Sequence, residues 1–348
     1  MVHIRNQLTF PFLLFPIYAT QCLSFPTQLP NMSINTDDLE KDCIEIHDSW
    51  DRRSNNLVRV LATRNLMERQ QMRKIYKAIY GEELVERLGT INVQKERKEL
   101  VAQALSLWML DPHERDAVLA REALEQGDIN YKALIEIFVG RKSSQIFLIK
   151  QSYRARYQTK LEQDIINIDP PHSYQKILVA LAASHKAHNA DVSQHIAKCD
   201  ARRLYETVKD SLVAIEEEAV LEMLTKRSIP QLKLTFSCYQ HIFGHNFTKA
   251  LKLRNCGEFE NVLHTVVKCI SNPPKYYAKV VYKCIKGEET DNGALRRVLV
   301  SRAEVDLDEI QRAFKGKYGI QLRGAIRESI FCEDYRDFLV ALAIKTTY

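Results

Sequence analysis

A pattern that occurs four times along the chain limits its possible folds more than any other feature of the sequence. Each copy is anchored on an arginine, at Arg64, Arg141, Arg227 and Arg302, and the copies align without a gap. Apolar residues lie three, four and seven positions before each arginine, which is the spacing of one face of a helix. Aromatic residues lie twelve and sixteen positions after it: Tyr76 and Tyr80, Tyr153 and Tyr157, Tyr239 and Phe243, Phe314 and Tyr318. A step of four keeps each aromatic pair on one face of a second helix.

The intervals between the copies predict an array of helical units. They measure 77, 86 and 75 residues, which is room for four or five helices each. Gly81, Gly244 and Gly319 directly follow the second aromatic, as glycines that cap a helix C-terminus do. The longest interval contains the polar stretch 184–200, interpreted as a linker that divides the chain into two halves of two units.

The composition agrees with an all-α fold. The 348 residues include only 11 Gly and 10 Pro, whereas a β-sandwich or barrel needs such residues in its many turns. The net charge of +6 indicates attraction to anionic surfaces without requiring nucleic acid. No two of the eight cysteines form a CxxC pair, which favours reduced, mostly buried thiols and a cytoplasmic location.

Residues 1–31 form an atypical N-terminal extension that contains Arg5 but no acidic residue. The apolar run Leu8–Phe15 allows three interpretations: a signal peptide, a targeting tail, or an upstream extension of a fold that begins near Met32. We favour the third because the rest of the chain has the features of a cytosolic protein.

Four paired helical repeats of this kind resemble the annexin family, and several strings resemble plant annexins in particular. These strings are LWMLDPHERDA (107–117), IKQSYRARYQTKLEQDI (149–165), TKRSIPQLKLTFSCYQHIFG (225–244) and LRRVLVSRAEVDLDEI (295–310). The resemblance covers residues 38–346 and implies repeats at 38–109, 110–181, 201–271 and 272–346, arranged as a curved all-α disc. It also implies a peripheral protein that binds acidic phospholipid membranes through Ca²⁺.

The resemblance implies one calcium loop in repeat four. The family's loop reads G-x-G-T-[DN], and this chain has KGEETD at 286–291. The implied ligands are the carbonyl oxygens of Ile285, Gly287 and Glu289, closed by a distal carboxylate from either Glu333 or Asp334. Glu289 replaces the second glycine, so its side chain could add an oxygen or could prevent the backbone from adopting the loop conformation. Calcium binding is therefore expected to be weakened or absent.

The other three loops depart further from the family pattern. Repeat one reads DSWDRR at 48–53, and its distal position falls on Leu100, beside Glu99, so this calcium site is interpreted as lost. Trp50 with Arg52 and Arg53 could still contact anionic membranes, although a surface Trp packed under a loop is the more common arrangement. The stretches QGDINY (126–131) and LVAIEEEAV (212–220) lack the glycine spacing.

No nucleotide-binding, zinc-protease or serine-hydrolase motif occurs in the sequence, so we do not expect an enzyme. The leading hypothesis is calcium-dependent, possibly weakened, binding to acidic phospholipid, with no nucleic-acid partner. The alternative is a calcium-independent helical scaffold that binds other proteins after its lipid sites have decayed.

Overall fold

The computed structural model describes residues 35–49, 54–89, 96–125, 129–183, 186, 191–209, 217–252, 257–288 and 290–344. Four residues that the sequence singled out lie outside these ranges: Trp50, Arg52, Arg53 and Glu289. The N-terminal extension of residues 1–31 also lies outside them.

The described residues form helices and no strands, and the helices fall into four groups of five, which confirms the predicted fold class. The first group is α1 (Thr36–Ser49), α2 (Ser54–Thr63), α3 (Leu66–Tyr80), α4 (Leu84–Gly89) and α5 (Glu96–Met109). The second is α6 (Pro112–Glu125), α7 (Tyr131–Val139), α8 (Ser143–Tyr157), α9 (Leu161–Ile166) and α10 (Gln175–Leu181). The third is α11 (Gln194–Lys209), α12 (Glu217–Lys226), α13 (Ile229–Phe243), α14 (Phe247–Lys252) and α15 (Glu258–Ser271). The fourth is α16 (Pro273–Lys286), α17 (Asn292–Arg302), α18 (Leu307–Tyr318), α19 (Leu322–Ser329) and α20 (Glu333–Ile344).

The third helix of each repeat ends in a left-handed residue. Gly81, Gly244 and Gly319 have φ values of 74°, 71° and 73°, which confirms their predicted role as caps. Repeat two reaches the same conformation with Gln158, at φ 60°. Residues with a side chain are disfavoured in the left-handed conformation, so repeat two keeps the helix end of the other three repeats at some cost in energy.

The first and third helices of each repeat pack against each other around the aromatic residues that the sequence singled out. Tyr76, Tyr153, Tyr239 and Phe314 are all fully buried. The second aromatic stacks on a ring of the first helix in three repeats: Tyr80 on His47, Phe243 on Tyr205 and Tyr318 on Tyr282, with centroids 3.8, 4.1 and 3.7 Å apart. In repeat two, the Arg121 guanidinium lies 5.4 Å from the Tyr157 ring centroid instead.

The anchor arginines tie the first helix of a repeat to the end of its second helix. Arg64 pairs with Asp42, Arg141 with Asp116 and Arg227 with Asp200, with closest N–O distances of 2.5, 2.5 and 2.8 Å. In repeat four the corresponding position of the first helix is Tyr277, and Arg302 pairs with Asp306, four residues further on. The arginine is thus a structural residue in each repeat.

The most extensive contacts between repeats join repeat one to repeat four and repeat two to repeat three. Helices α2 and α5 of repeat one pack against α20 and α17 of repeat four, and α7 and α10 of repeat two pack against α15 and α12 of repeat three. Buried Arg69 binds Glu304 across the first interface, with N–O distances of 2.9 and 2.8 Å. The interpreted linker also contributes structure, because α11 begins inside it at Gln194.

Candidate functional site

The loop between α16 and α17 is the candidate calcium loop of repeat four. The Asp291 amide donates to the carbonyl of Cys284 at 3.1 Å, which closes the loop on the helix before it. The Asp291 carboxylate accepts the amide of Ala294 at 2.8 Å and so caps α17. The Asp at the end of the family motif therefore has a structural task in this chain, which is to begin the helix.

Gly287 lies at the C-terminus of α16, and Ile285 before it has its side chain in the core. Gly287 has φ −70° and ψ −179°, an extended conformation that any residue adopts. The backbone conformation at Gly287 therefore does not itself require a glycine.

The first turn of α20 lies beside this loop. The Tyr335 hydroxyl donates to the Asn292 carbonyl at 2.8 Å, and α20 packs against α17. Tyr335 is buried, so this hydrogen bond fixes the start of α20 relative to the loop. Glu333 and Asp334, the two distal acids that the sequence left open, lie in this first turn of α20, and their assignment as ligands stays a prediction.

These two acids have different surroundings. The Glu333 side chain is 67% exposed and lies 3.8 Å from the Arg336 guanidinium, one turn further along the helix. Asp334 is only partly exposed, and its Oδ1 lies out of contact with solvent. The Asp334 carboxylate is therefore more enclosed than that of Glu333.

Phe331 is a candidate membrane contact that the sequence analysis missed. It lies between α19 and α20, two residues before Glu333, and its side chain is 88% exposed, the highest value for a large hydrophobic residue in the described part of the chain. Its neighbour Ile330 is buried, so the chain turns one apolar side chain inward and the next one outward. The available signal was an aromatic residue two positions before the first of the candidate acids.

Repeat two has the same turn but lacks the carboxylate. Asn130 corresponds to Asp291: its amide donates to the Ala123 carbonyl at 3.0 Å, and its side chain accepts the amide of Ala133 at 3.1 Å. Tyr174 takes the position of Tyr335 relative to the anchor arginine, and the residue before it is Ser173. A closed turn is therefore not specific to calcium binding, and the distal acid distinguishes repeat four from repeat two.

A sequence model of the annexin family matches residues 115–181, 200–266 and 276–342. The chain belongs to the annexin family. Among its relatives, annexin D6 of Arabidopsis thaliana is 33% identical over 309 residues, covering 87% of this chain and 94% of the relative. The annexin-like protein RJ4 of Fragaria ananassa is 30% identical over 293 residues, covering 84% and 90%. The solved structure of annexin III superposes with a TM-score of 0.78 at 31% identity and covers 88% of this chain and 93% of that one.

Calcium binding is a general property of the family. Annexins bind Ca²⁺ and, through it, acidic phospholipid at membrane surfaces. Within the described ranges of this annexin, no three His, Cys, Asp or Glu side chains are grouped to hold a metal. A loop that relies on backbone carbonyls does not require such a group, because one distal carboxylate can complete it. No helix among the described residues is long and apolar enough to cross a membrane.

The repeat-one acid beside the expected distal position takes no part in such a loop among the described residues. Glu99 is exposed on α5 and accepts a hydrogen bond from Gln103 at 2.9 Å. Leu100 is partly buried against the core. The prediction of a membrane contact at Trp50, Arg52 and Arg53 stays a prediction, because those residues lie outside the described ranges.

Proposed function

We propose that this annexin binds acidic phospholipid through a weakened calcium site in repeat four. The ligands are the carbonyl oxygens of Ile285, Gly287 and Glu289 and the carboxylate of Asp334. Bound there, Ca²⁺ supplies positive charge to which a lipid phosphate can coordinate. The observation that supports this proposal is the Tyr335–Asn292 hydrogen bond, which joins the first turn of α20 to the first residue of α17, directly after the loop.

The number of protein oxygens supports a weak site. Three carbonyls and a bidentate carboxylate offer five oxygens, whereas Ca²⁺ takes six to eight. The remaining positions are then available to lipid phosphate and water. A single carboxylate also gives a low ligand charge, which places the affinity at the weak end of the range for calcium sites, at a Kd of roughly 10⁻⁴ to 10⁻³ M.

Phe331 adds an apolar contact to this site. Its side chain is almost fully exposed beside the acids, and an aromatic ring is stable at the interface between lipid headgroups and hydrocarbon. Transferring a Phe side chain from water to an apolar environment contributes about 1.5–3 kcal/mol, which corresponds to about tenfold or more in membrane affinity. We further propose Trp50, Arg52 and Arg53 of repeat one as a second contact that does not need calcium.

The test is sedimentation of the full chain with phosphatidylserine vesicles, in calcium and in a chelator. Asp334→Asn keeps the shape of the side chain and removes its charge, so it should abolish the calcium-dependent part of binding. Glu333→Gln, its matched control one residue away, should leave binding unchanged. No sedimentation in either condition would refute membrane binding, and an effect of Glu333→Gln alone would show that the distal acid is wrongly assigned.

Phe331 is tested in the same assay. Phe331→Ser should weaken vesicle binding about tenfold while calcium binding, measured by calorimetry, stays the same. Phe147→Ser is the control, because Phe147 is also exposed (52%) but lies on α8 of repeat two. Equal losses in the two variants would indicate non-specific adsorption. We propose that the chain acts by this binding at cytoplasmic membrane surfaces, without catalysis or a nucleic-acid partner.

A further inference from the structure

A second site lies in repeats three and four, away from the calcium loop. Helices α13, α14, α15, α16 and α18 surround an open cavity of about 690 Å³. Its lining contains no acidic residue and five lysines from four different helices: Lys233, Lys268, Lys275, Lys279 and Lys317. A cavity of this volume suits a small-molecule ligand.

The positive charge of this lysine cavity is not neutralised within the described residues, where none of its five lysines takes part in an ion pair. Glu136 lies behind the cavity wall, where it accepts a hydrogen bond from Tyr276 at 2.9 Å. It is already paired with the Arg297 guanidinium at 3.0 Å. The nearby acid is therefore occupied by another cation.

Burial and the neighbouring lysines lower the pKa of two lysines of the cavity. Burial, together with the neighbouring Lys252, Lys279, Lys283 and Lys317, lowers the pKa of Lys268. The pKa of Lys279 is lowered in the same way by burial and its lysine neighbours. The pKa of His264, one turn before Lys268 on α15, falls to about 4 through burial and repulsion from Lys268, Lys252 and Lys279. A concentration of like charge costs free energy, and a bound anion relieves that cost.

The lysine cavity is separate from the calcium loop. It is lined by the first half of α16, at Lys275 and Lys279, whereas Gly287 follows the last turn of the same helix. Twelve residues of helix separate Lys275 from Gly287, which is about 18 Å along its axis. The two sites therefore lie at opposite ends of α16 and do not share ligands.

We propose that the lysine cavity binds a multiply phosphorylated ligand independently of calcium. Lysine recognises phosphate as a compact point charge with three donors. The five lysines lie on four helices, and several phosphates on one small ring can distribute their charge over them, whereas inorganic phosphate offers a single anionic group. Ser237, Gln240, Asn246 and Thr248 also line the cavity and offer neutral hydrogen-bonding groups to the same ligand. A soluble inositol polyphosphate and the headgroup of a polyphosphoinositide share this chemistry.

The experiment is isothermal titration calorimetry of the full chain with inositol hexakisphosphate in the presence of a calcium chelator. The chelator silences the proposed calcium site, so this result does not depend on the proposal for repeat four. Inositol hexakisphosphate should bind, and inorganic phosphate should bind far more weakly. A second arm measures sedimentation with phosphatidylcholine vesicles that contain phosphatidylinositol bisphosphate, against vesicles in which phosphatidylserine supplies the same charge. Binding of either multiply phosphorylated probe supports the proposal and identifies its source as soluble or lipid.

The decisive variant is Lys268→Gln with Lys279→Gln. It should weaken binding by more than about tenfold, because it removes two charged partners of the ligand. It should not unfold the protein, since it removes repulsion, and its melting temperature should equal or exceed that of the original chain. The control with the same change in net charge is Lys74→Gln with Lys198→Gln, at two exposed lysines outside the cavity. It should weaken binding less than about twofold.

Three results would overturn the proposal. One is failure of both the soluble and the lipid probe to bind. Another is an equal loss in the two double variants, which would indicate general attraction to the net charge. The third is equal affinity for inorganic phosphate and inositol hexakisphosphate, because that would remove the requirement for several phosphates.

Discussion

Replacing Asp116 with Asn tests how the anchor arginines hold a repeat together. The Arg141 Nε lies 2.5 Å from the Asp116 carboxylate, and the two side chains are only 9% and 1% exposed. Burial lowers the pKa of Arg141, but attraction and hydrogen bonding from Asp116 outweigh it and leave the pKa above its usual value. The pair therefore stabilises the charged arginine in the fold.

Asp116 also supports a second guanidinium. Arg115 is buried, and its pKa falls to about 10 through burial, against an upward contribution from Asp116. Removing the carboxylate leaves two buried cations without their shared anion. Two unit charges about 4 Å apart interact by about 4 kcal/mol at an effective dielectric constant of 20, and breaking a buried pair typically costs about 3–5 kcal/mol. We expect Asp116→Asn to lower the free energy of unfolding by about 4 kcal/mol.

The matched control is Asp42→Asn, at the same position of repeat one. Burial raises the pKa of Asp42 even though Arg64 lowers it, so the cost of burying this charge offsets its attraction to Arg64. The change should cost less than about 1 kcal/mol. Denaturant unfolding followed by circular dichroism measures both variants, and a second probe checks that each transition is two-state. A loss below about 1 kcal/mol for Asp116→Asn, or equal losses at the two positions, would refute the reasoning.

Four further substitutions have expected outcomes. Gln158→Gly should raise the free energy of unfolding by about 0.5–1 kcal/mol in the same assay, because glycine adopts the left-handed backbone conformation without strain. Gly244→Ala should lower it by about 1 kcal/mol, because it places a side chain in that conformation. The pKa of His264 falls to about 4 in the fold from its usual 6.5, so the unfolded chain binds more protons than the folded one between these pH values. Stability should therefore fall as the pH drops from about 6.5 to about 4. His264→Gln should flatten this part of a profile of melting temperature against pH. Trp108→Phe should cost about 2–3 kcal/mol by denaturant unfolding, because the buried Leu61 carbonyl loses the indole donor at 2.9 Å.

The helical array was predictable because its signals are local and occur four times. The buried aromatics lie twelve residues after the anchor arginines in every repeat: Tyr76, Tyr153, Tyr239 and Phe314. The helical period then places each of them on the core face of its helix. Glycine after the second aromatic predicted three helix ends for the same reason. Gln158 gave no such signal, because a residue with a side chain rarely adopts the left-handed conformation that it has here.

The arrangement between repeats and the second site depend on contacts that are distant in sequence. Lys233 and Lys317 are 84 residues apart and line one cavity only after α13 and α18 fold onto the same side of α16. From the sequence alone, these lysines appear only as part of a net charge of +6, which we interpreted as attraction to anionic surfaces in general. Likewise, the sequence could align Glu333 and Asp334 with the family pattern but could not distinguish them, because their exposure depends on how Tyr335 fixes α20.

In repeat four, the contact with repeat two changes how the anchor arginine, Arg302, is held. Tyr277 occupies the place of the acid on the first helix, and its hydroxyl donates to the Glu136 carbonyl of repeat two at 3.5 Å. Arg302 instead binds Asp306 with two hydrogen bonds of 2.7 and 2.5 Å, while its guanidinium lies 4.7 Å from the Tyr277 ring centroid. Because the ring still faces the cation after the carboxylate is gone, Asp306→Asn should cost about 2 kcal/mol, less than Asp116→Asn. A loss equal to that of Asp116→Asn in the same unfolding assay would mean that Tyr277 does not stabilise the Arg302 guanidinium. Tyr277 would then act only through its hydrogen bond to repeat two.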